Sequence, residues 1–180
     1  MGQIRRTDRT LIRKCNVFDL YEDTMVTDDG HTAKWDFLKH NGAAAVVAVT
    51  AEGKILMVRQ YRNAIDRYSL EIPAGKKDSP DEDPYACAKR ELEEETGYHS
   101  DDLEHLVKVV TAIAYCNETI DIYVARNLKK TAQNLDEDEF IDVEAYEPGK
   151  LKEMILNGQL QDCKTVAAIS AYLCKYPEEA

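Results

Sequence analysis

The chain has 180 residues, 44% of them hydrophobic, which suits the core of one enzyme-sized domain and leaves no composition for a second full domain. Its 34 acidic against 23 basic residues give a formal net charge of −11, so the basic footprint needed for non-specific nucleic-acid binding is missing. No apolar run reaches the ~18 residues of a membrane-crossing helix, and the start Met1-Gly2-Gln3-Ile4-Arg5-Arg6 lacks the apolar core of a signal peptide. Residues 15–28 and 31–40 read as two strands around the hairpin turn Asp28-Asp29-Gly30 and make an N-terminal extension over residues 1–40. The main domain, 41–180, opens with the β-branched run Ala43 to Thr50, a turn at Ala51-Glu52-Gly53 and an alternating strand from Lys54 to Arg62. Residues 70–75 form a further strand. Asp83 then reads as a helix cap, Pro84 as the first helical position and Gly97 as the stop, which predicts a helix over 84–96. Strands follow at 106–114, 119–125 and 143–146, helices at 148–157 and 162–175, and Pro177-Glu178-Glu179-Ala180 reads as a frayed tail. Strands and helices interleave without regular βαβ repetition, which predicts an α/β fold with a mixed sheet and helices on both sides. Cys15, Cys87, Cys116, Cys163 and Cys174 are odd in number and show no paired ligand spacing, so reduced thiols in a cytoplasmic protein are expected.

The segment Arg90-Glu91-Leu92-Glu93-Glu94-Glu95-Thr96-Gly97-Tyr98 concentrates carboxylates beside one arginine at the negative end of the predicted helix. Glu91 and Glu95 are four apart and share a face that the sequence alone places in solvent, with Glu94 next to them. Taken singly, such a run is a solvated acidic surface with Arg90 pairing locally. A hard divalent cation would turn the repulsion into attraction.

Upstream lies Leu70-Glu71-Ile72-Pro73-Ala74-Gly75, followed by a polar loop and Glu82. Together these segments resemble the Nudix hydrolase box, G-x5-E-x7-R-E-U-x-E-E-x-G-U with U apolar. Glu82, Arg90-Glu91, Leu92, Glu94-Glu95, Gly97 and Tyr98 occupy its positions. Six residues separate Gly75 from Glu82 where the pattern has five, so either the loop 76–81 carries one extra residue or Asp81 takes the first acidic position; the polar loop absorbs an insertion more easily than the helix absorbs a shift. The resemblance implies a Nudix α/β/α sandwich with a mixed sheet and an N-terminal β-hairpin extension. Val58-Arg59-Gln60-Tyr61-Arg62, the Leu70 to Gly75 segment and the late Asp136-Glu137-Asp138-Glu139-Phe140-Ile141 look like the ADP-ribose pyrophosphatase branch. That branch implies hydrolysis of ADP-ribose or a related nucleoside-diphosphate sugar to a nucleoside monophosphate and a sugar phosphate. The branch often has a proline where this chain has Ile113, which leaves GDP-mannose or another nucleotide sugar as a rival substrate. A non-hydrolytic nucleotide-sugar sensor and a plain interaction protein are the other function classes.

The chemistry of a diphosphate needs charge stabilisation and an activated water, which clustered carboxylates holding Mg2+ supply, with Mn2+ able to substitute. Glu91 and Glu95 are the first ligands expected; the resemblance adds the backbone carbonyl of Ala74, with Glu82 and Glu94 as further ligands or supports. Arg90 orients a glutamate or forms a surface ion pair. Glu137 is the first candidate for general base, and Glu139 the alternative base or a further ligand. For substrate, Trp35 is placed by resemblance where related enzymes stack adenine, Arg62 can reach a phosphate, Glu118 is placed near the terminal ribose, and Asp36 is a weaker contact. Two strands cannot make a core, so the extension must pack on something, and the resemblance implies a homodimer with Trp35 at a shared site.

Overall fold

Eleven residues rich in arginine, Ile4–Lys14, form strand β1, followed by β2 (Asp19–Thr27) and β3 (Thr32–Lys39) in an antiparallel sheet of order β1-β2-β3. This is a computed structural model that describes residues 2–137 and 139–179. The sheet and Val110–Thr119 make one of two units; Ala43–Val109 with Ile120–Ala180 make the other. The sequence reading gave this region two strands and missed β1. Its residues are solvent-exposed almost throughout, so no apolar alternation marks it as a strand. Charge registers it instead: Arg9 lies opposite Asp23 and donates from Nε and Nη2 to both carboxylate oxygens at 2.6 Å, while its guanidinium sits 3.6 Å from the Phe37 ring centre. In the same unit Leu38 bridges in parallel to Cys116, and Asn117 exchanges hydrogen bonds with the backbone of His40.

The second unit contains β4 (Ala43–Val49), β5 (Ile55–Arg62), β6 (Arg67–Glu71), β7 (Ala74–Lys76), α1 (Pro84–Thr96), β8 (Tyr98–His99), β9 (Asp102–Val110), β10 (Thr119–Arg126), β11 (Lys129–Lys130), β12 (Asp142–Tyr146), α2 (Pro148–Leu156) and α3 (Cys163–Lys175). Its main sheet runs β12-β5-β4-β10-β9, with β6 on β5 and β7 on β4, while β8 and β11 pair separately. The sheet is mixed because β4 and β10 are parallel while β4–β5 and β5–β12 are antiparallel.

Strand β4 explains the layering. Every residue of Ala43–Val49 is buried, as expected of a strand covered on both faces. Ala43, Ala45, Val47 and Val49 pack in one cluster with Leu151 of α2 and Ala168, Ile169 and Tyr172 of α3. Ala44, Val46 and Ala48 pack in the other with Cys87, Ala88 and Leu92 of α1. Helices therefore cover both faces, and the fold is the α/β/α sandwich that the sequence implies.

Three local readings change. Pro73 divides the expected 70–75 strand into β6 and β7, since proline brings no donor to a ladder; its carbonyl still accepts from Val46 N at 2.9 Å. The strand expected at 106–114 is β9, shifted to Asp102–Val110. The tail is not frayed over its described part: Pro177–Glu179 is a short 3-10 turn whose Glu179 accepts from Arg126 at 2.9 and 3.1 Å and from the hydroxyl of the buried Tyr172. A buried phenol needs an acceptor, and Glu179 supplies it. No helix among the described residues is long and apolar enough to cross a membrane.

Candidate active site

Helix α1 is built as the sequence predicts. Asp83 caps it by accepting from Tyr85 N at 3.2 Å, Pro84 occupies the first turn, and Gly97 ends it in the left-handed region with φ +68°. Its acidic stripe, however, faces inward. Glu91 and Glu95 are 8% and 4% exposed, so the solvent-facing helix surface expected from sequence is in fact a buried one. The reason is tertiary: α1 lies along β4 and β7, and that packing carries the stripe onto the segment 72–76.

The approach is close. A Cβ at Gly75 would lie 2.0 Å from Cδ of Glu91, so only glycine admits the carboxylate in this position. Ala74 N donates to Glu95 Oε2 at 2.9 Å, and Gln60 Nε2 lies 3.5 Å from Glu95 Oε1. Arg90 works on the other side: Nη1 donates to Glu91 at 2.6 Å and Glu94 at 3.0 Å, and Nη2 to the Lys76 carbonyl at 3.2 Å and Glu82 at 3.5 Å. Glu82 also accepts from Asp78 N at 2.6 Å, which closes the loop, and the Asp78 carboxylate itself lies 3.9 Å from Arg90 Nε. Arg90 Nε is buried without a hydrogen bond.

Burial pushes the Glu91 carboxyl up to about 7, against the opposing pull of Arg90 and with added repulsion from Glu94 and Glu139. Burial pushes Glu95 further, to about 8; the Ala74 N–H opposes this, and Glu91 and Glu139 reinforce it. Burial also lowers the Arg90 pKa, but Glu91 and Glu94 outweigh it and the guanidinium stays charged. Cys87, buried in the field of Glu82 and Glu91, is pushed up to about 12 and is no nucleophile. Glu139 is exposed, yet its charge reaches both buried glutamates, and its Oε2 accepts from Asp136 N at 3.2 Å. Glu137 is exposed on the same loop, while its neighbour Asp138 lies outside the described residues.

Among the described residues no three acidic, histidine or cysteine side chains form a closed ligand cage. The acids are instead spread around the Arg90 guanidinium. The donor set still fits a hard divalent cation: two buried carboxylates repel each other at the surface of a glycine, with a third acid in range.

Beside this cluster is an ion network in which sequence reasoning gave a role to Arg62 but none to Glu71, Asp162 or Lys164. Glu71 is 2% exposed and accepts from Arg62 Nε at 2.9 Å, from Arg62 Nη2 at 2.7 Å and from Lys164 Nζ. Burial pushes Glu71 up, but its two cations outweigh that and hold the carboxyl at about 2. Asp162 caps α3, accepting from Thr165 N at 3.0 Å and Lys164 Nζ at 2.9 Å, and Thr165 Oγ1 accepts from Ile72 N at 3.0 Å. The one sequence signal was an acid inside an apolar strand, Leu70-Glu71-Ile72, whose partner is 93 positions away.

The structure thus brings together Ala74, Glu82, Arg90, Glu91, Glu94, Glu95 and Glu139, with Arg62 near Glu95. Trp35, Asp36 and Glu118 belong to the other unit. There Trp35, 49% exposed, lies opposite Asp23, and Asp36 is exposed. Glu118 accepts from Thr111 Oγ1 at 2.6 Å and lies 3.5 Å from His40 Nδ1.

The model of the NUDIX domain matches residues 39–167. The chain belongs to the Nudix family. This Nudix chain is 41% identical over 155 residues to the methanol dehydrogenase activator of Bacillus methanolicus, and 38% identical over 155 residues to the ADP-ribose pyrophosphatase of Bacillus subtilis (strain 168). Each match covers 85% of this chain and 83% of the relative. The crystal structure of an ADP compounds hydrolase shares the fold with a TM-score of 0.84 at 20% identity, covering 99% of this chain and 96% of that one.

Two outcomes are expected of this Nudix site. Gly75→Ala displaces the Glu91 carboxylate, the flexible end of a side chain, so the fold should survive while stabilisation by divalent cations is lost; thermal melts with and without Mg2+ check this. Glu71 has a depressed folded pKa, so its stabilisation is complete above the unfolded value of 4.5 and is lost as pH falls towards about 2. That contribution is on the order of 3 kcal/mol, and Glu71→Gln should flatten the acid limb of a urea-midpoint profile over that window.

Proposed function

We propose that this Nudix protein is a Mg2+-dependent pyrophosphatase that hydrolyses the diphosphate of ADP-ribose or a related nucleoside-diphosphate sugar. The observation that carries the reading is the buried pair Glu91 and Glu95, closed against Gly75 and within the field of Glu139. The substrate class rests on the 38% identical relative named ADP-ribose pyrophosphatase.

Glu91 and Glu95, with the Ala74 carbonyl, would hold the cation, and Glu82 and Glu94 would support it through Arg90. When bound, the cation neutralises developing phosphate charge and makes water a better nucleophile. Arg90 keeps Glu91 and Glu94 oriented by charge-assisted bonds. Arg62 offers a cation to the substrate phosphates. Of the two loop acids, Glu139 is the better base, because its charge reaches both buried glutamates; it takes the proton from the water that attacks phosphorus as the P–O bond to the second phosphate breaks. Glu137 remains the second choice.

Residues 1–40 serve in this reading as a dimer-forming extension to the Nudix domain at 41–180, and Trp35, with Asp36 and Glu118 as lesser contacts, stacks on the base of the substrate. The exposure of Trp35 and the long unaccompanied edge of β1 support it. A second reading has one observation in its favour: the 41% identical relative is named as an activator of methanol dehydrogenase. Adding this protein to a methanol dehydrogenase, with and without Glu95→Gln, separates an activator from a pyrophosphatase.

The deciding experiment is a panel of ADP-ribose, GDP-mannose and other nucleotide sugars with Mg2+ or Mn2+, with products identified by mass spectrometry. AMP and ribose phosphate are expected; turnover of none of the panel overturns the reading. On the best substrate, Glu139→Gln should lower kcat by about 100-fold or more with KM little changed, and Glu137→Gln should do far less. Light scattering should give a dimer, and Trp35→Ala should raise KM with kcat retained.

A further inference from the structure

We propose that Lys164 is a positioning residue of the reaction: through the buried Glu71 carboxylate it fixes the Arg62 guanidinium as an oxyanion-binding arm beside Glu95. The inference deepens the proposed function and rests on it for the identity of the oxyanion, a substrate phosphate.

The geometry is asymmetric. Glu71 is 3% exposed in its side chain and Lys164 11%, whereas Arg62 is 41% exposed. Arg62 spends Nε and Nη2 on the two Glu71 oxygens, a bidentate arrangement that fixes both the position and the plane of the guanidinium. Its Nη1 makes no hydrogen bond among the described residues and so is left to donate outward. Gln60, two residues before Arg62 on the same face of β5, reaches Glu95 Oε1 at 3.5 Å, which puts the arm on the strand face that meets the acidic site, and the Glu95 charge helps to raise the Arg62 pKa.

A single cation on a buried carboxylate would leave lone pairs unmet. Lys164 takes a further position on Glu71 Oε2 and is itself anchored by Asp162 Oδ2 at 2.9 Å, so the four charges cancel within one cluster. The cluster also has a mechanical base. Thr165, next in the α3 first turn, accepts from Ile72 N, one residue beyond Glu71 and two before Ala74, whose N–H holds Glu95. Helix α3 thereby grips the same short segment that sets both the arm and the buried acid.

Two readouts on the full-length protein test this. In the Mg2+-free protein, the Arg62 Nε–H proton should give a protected NMR resonance that is lost in Lys164→Met and kept in Lys164→Arg. With ADP-ribose and Mg2+, Lys164→Met should raise KM by about tenfold, the equivalent of ~1.4 kcal/mol, with kcat within about threefold of the parent, and Lys164→Arg should restore it. Arg62→Ala should raise KM by at least as much, and the double variant should be no worse than Arg62→Ala alone, because Lys164 acts through Arg62. Lys164→Gln, which keeps a donor to Glu71 without the charge, provides a second variant if Lys164→Met fails to melt cooperatively. A protected resonance in Lys164→Met, an unchanged KM despite a lower melting temperature, or additive effects in the double variant would overturn the assignment. If the parent hydrolyses no nucleotide sugar, the functional reading fails by itself, and the resonance still decides whether Lys164 holds the arm.

Discussion

Carboxylates do not enter a protein interior without a reason, and here Glu91 and Glu95 are both buried on one face of α1, repelling each other, against a segment that has no side chain at Gly75. The surrounding architecture compensates for this one electrostatic conflict. Arg90 balances Glu91 from the flank, the Ala74 N–H balances Glu95 from below, and the remaining acids are kept at the edge, where water screens them. What is left over is a site with surplus negative charge and raised proton affinity, which suits a divalent cation better than it suits water.

That conflict can be held only because the parts around it are stiff. Strand β4 is sandwiched between two apolar clusters, so α1 on one side and α2 with α3 on the other are registered against the same seven residues. The segment 72–76 crosses between β6 and β7 at Pro73, and it is fixed from both layers: Val46 N donates to the Pro73 carbonyl, Ile72 N donates to Thr165 of α3, and Ala74 N donates to Glu95 of α1. Tightly packed layers transmit position with little give, which is how a helix far along the chain can set the geometry of a carboxylate and an arginine near its start.

The charge of the protein is arranged in two ways. Overall it is acidic, which repels a phosphate substrate at a distance. Close to the site, each fixed cation is committed to carboxylates: Arg62 and Lys164 are locked to Glu71, and Arg90 to its own helix. Strand β1 is the opposite case, with arginines on an exposed edge, of which Arg9 is bound by Asp23 and Phe37 and Arg6 lies 3.6 Å from the same Asp23.

Sequence alone determined the helix α1 to the residue, because its signals are local: Asp83, Pro84 and Gly97 act on the backbone within one turn. It also determined the layered fold and the set of acids, since the buried run of β4 and the spacing of Glu82, Arg90, Glu91, Glu94 and Glu95 are patterns along the chain. Only tertiary structure decided that the acidic stripe faces inward, because that depends on which side of the sheet α1 covers and on how closely Gly75 lets the backbone approach. It alone brings the charge of Glu139 to bear on the pair and joins Glu71, Arg62 and Lys164 in one cluster, since no periodicity links positions 93 apart. Strand β1 escaped sequence reading for the converse reason: with neither face buried, its pairing leaves no hydrophobic trace. Local chemistry is written in neighbouring residues, whereas the direction a side chain faces is set by what packs behind it.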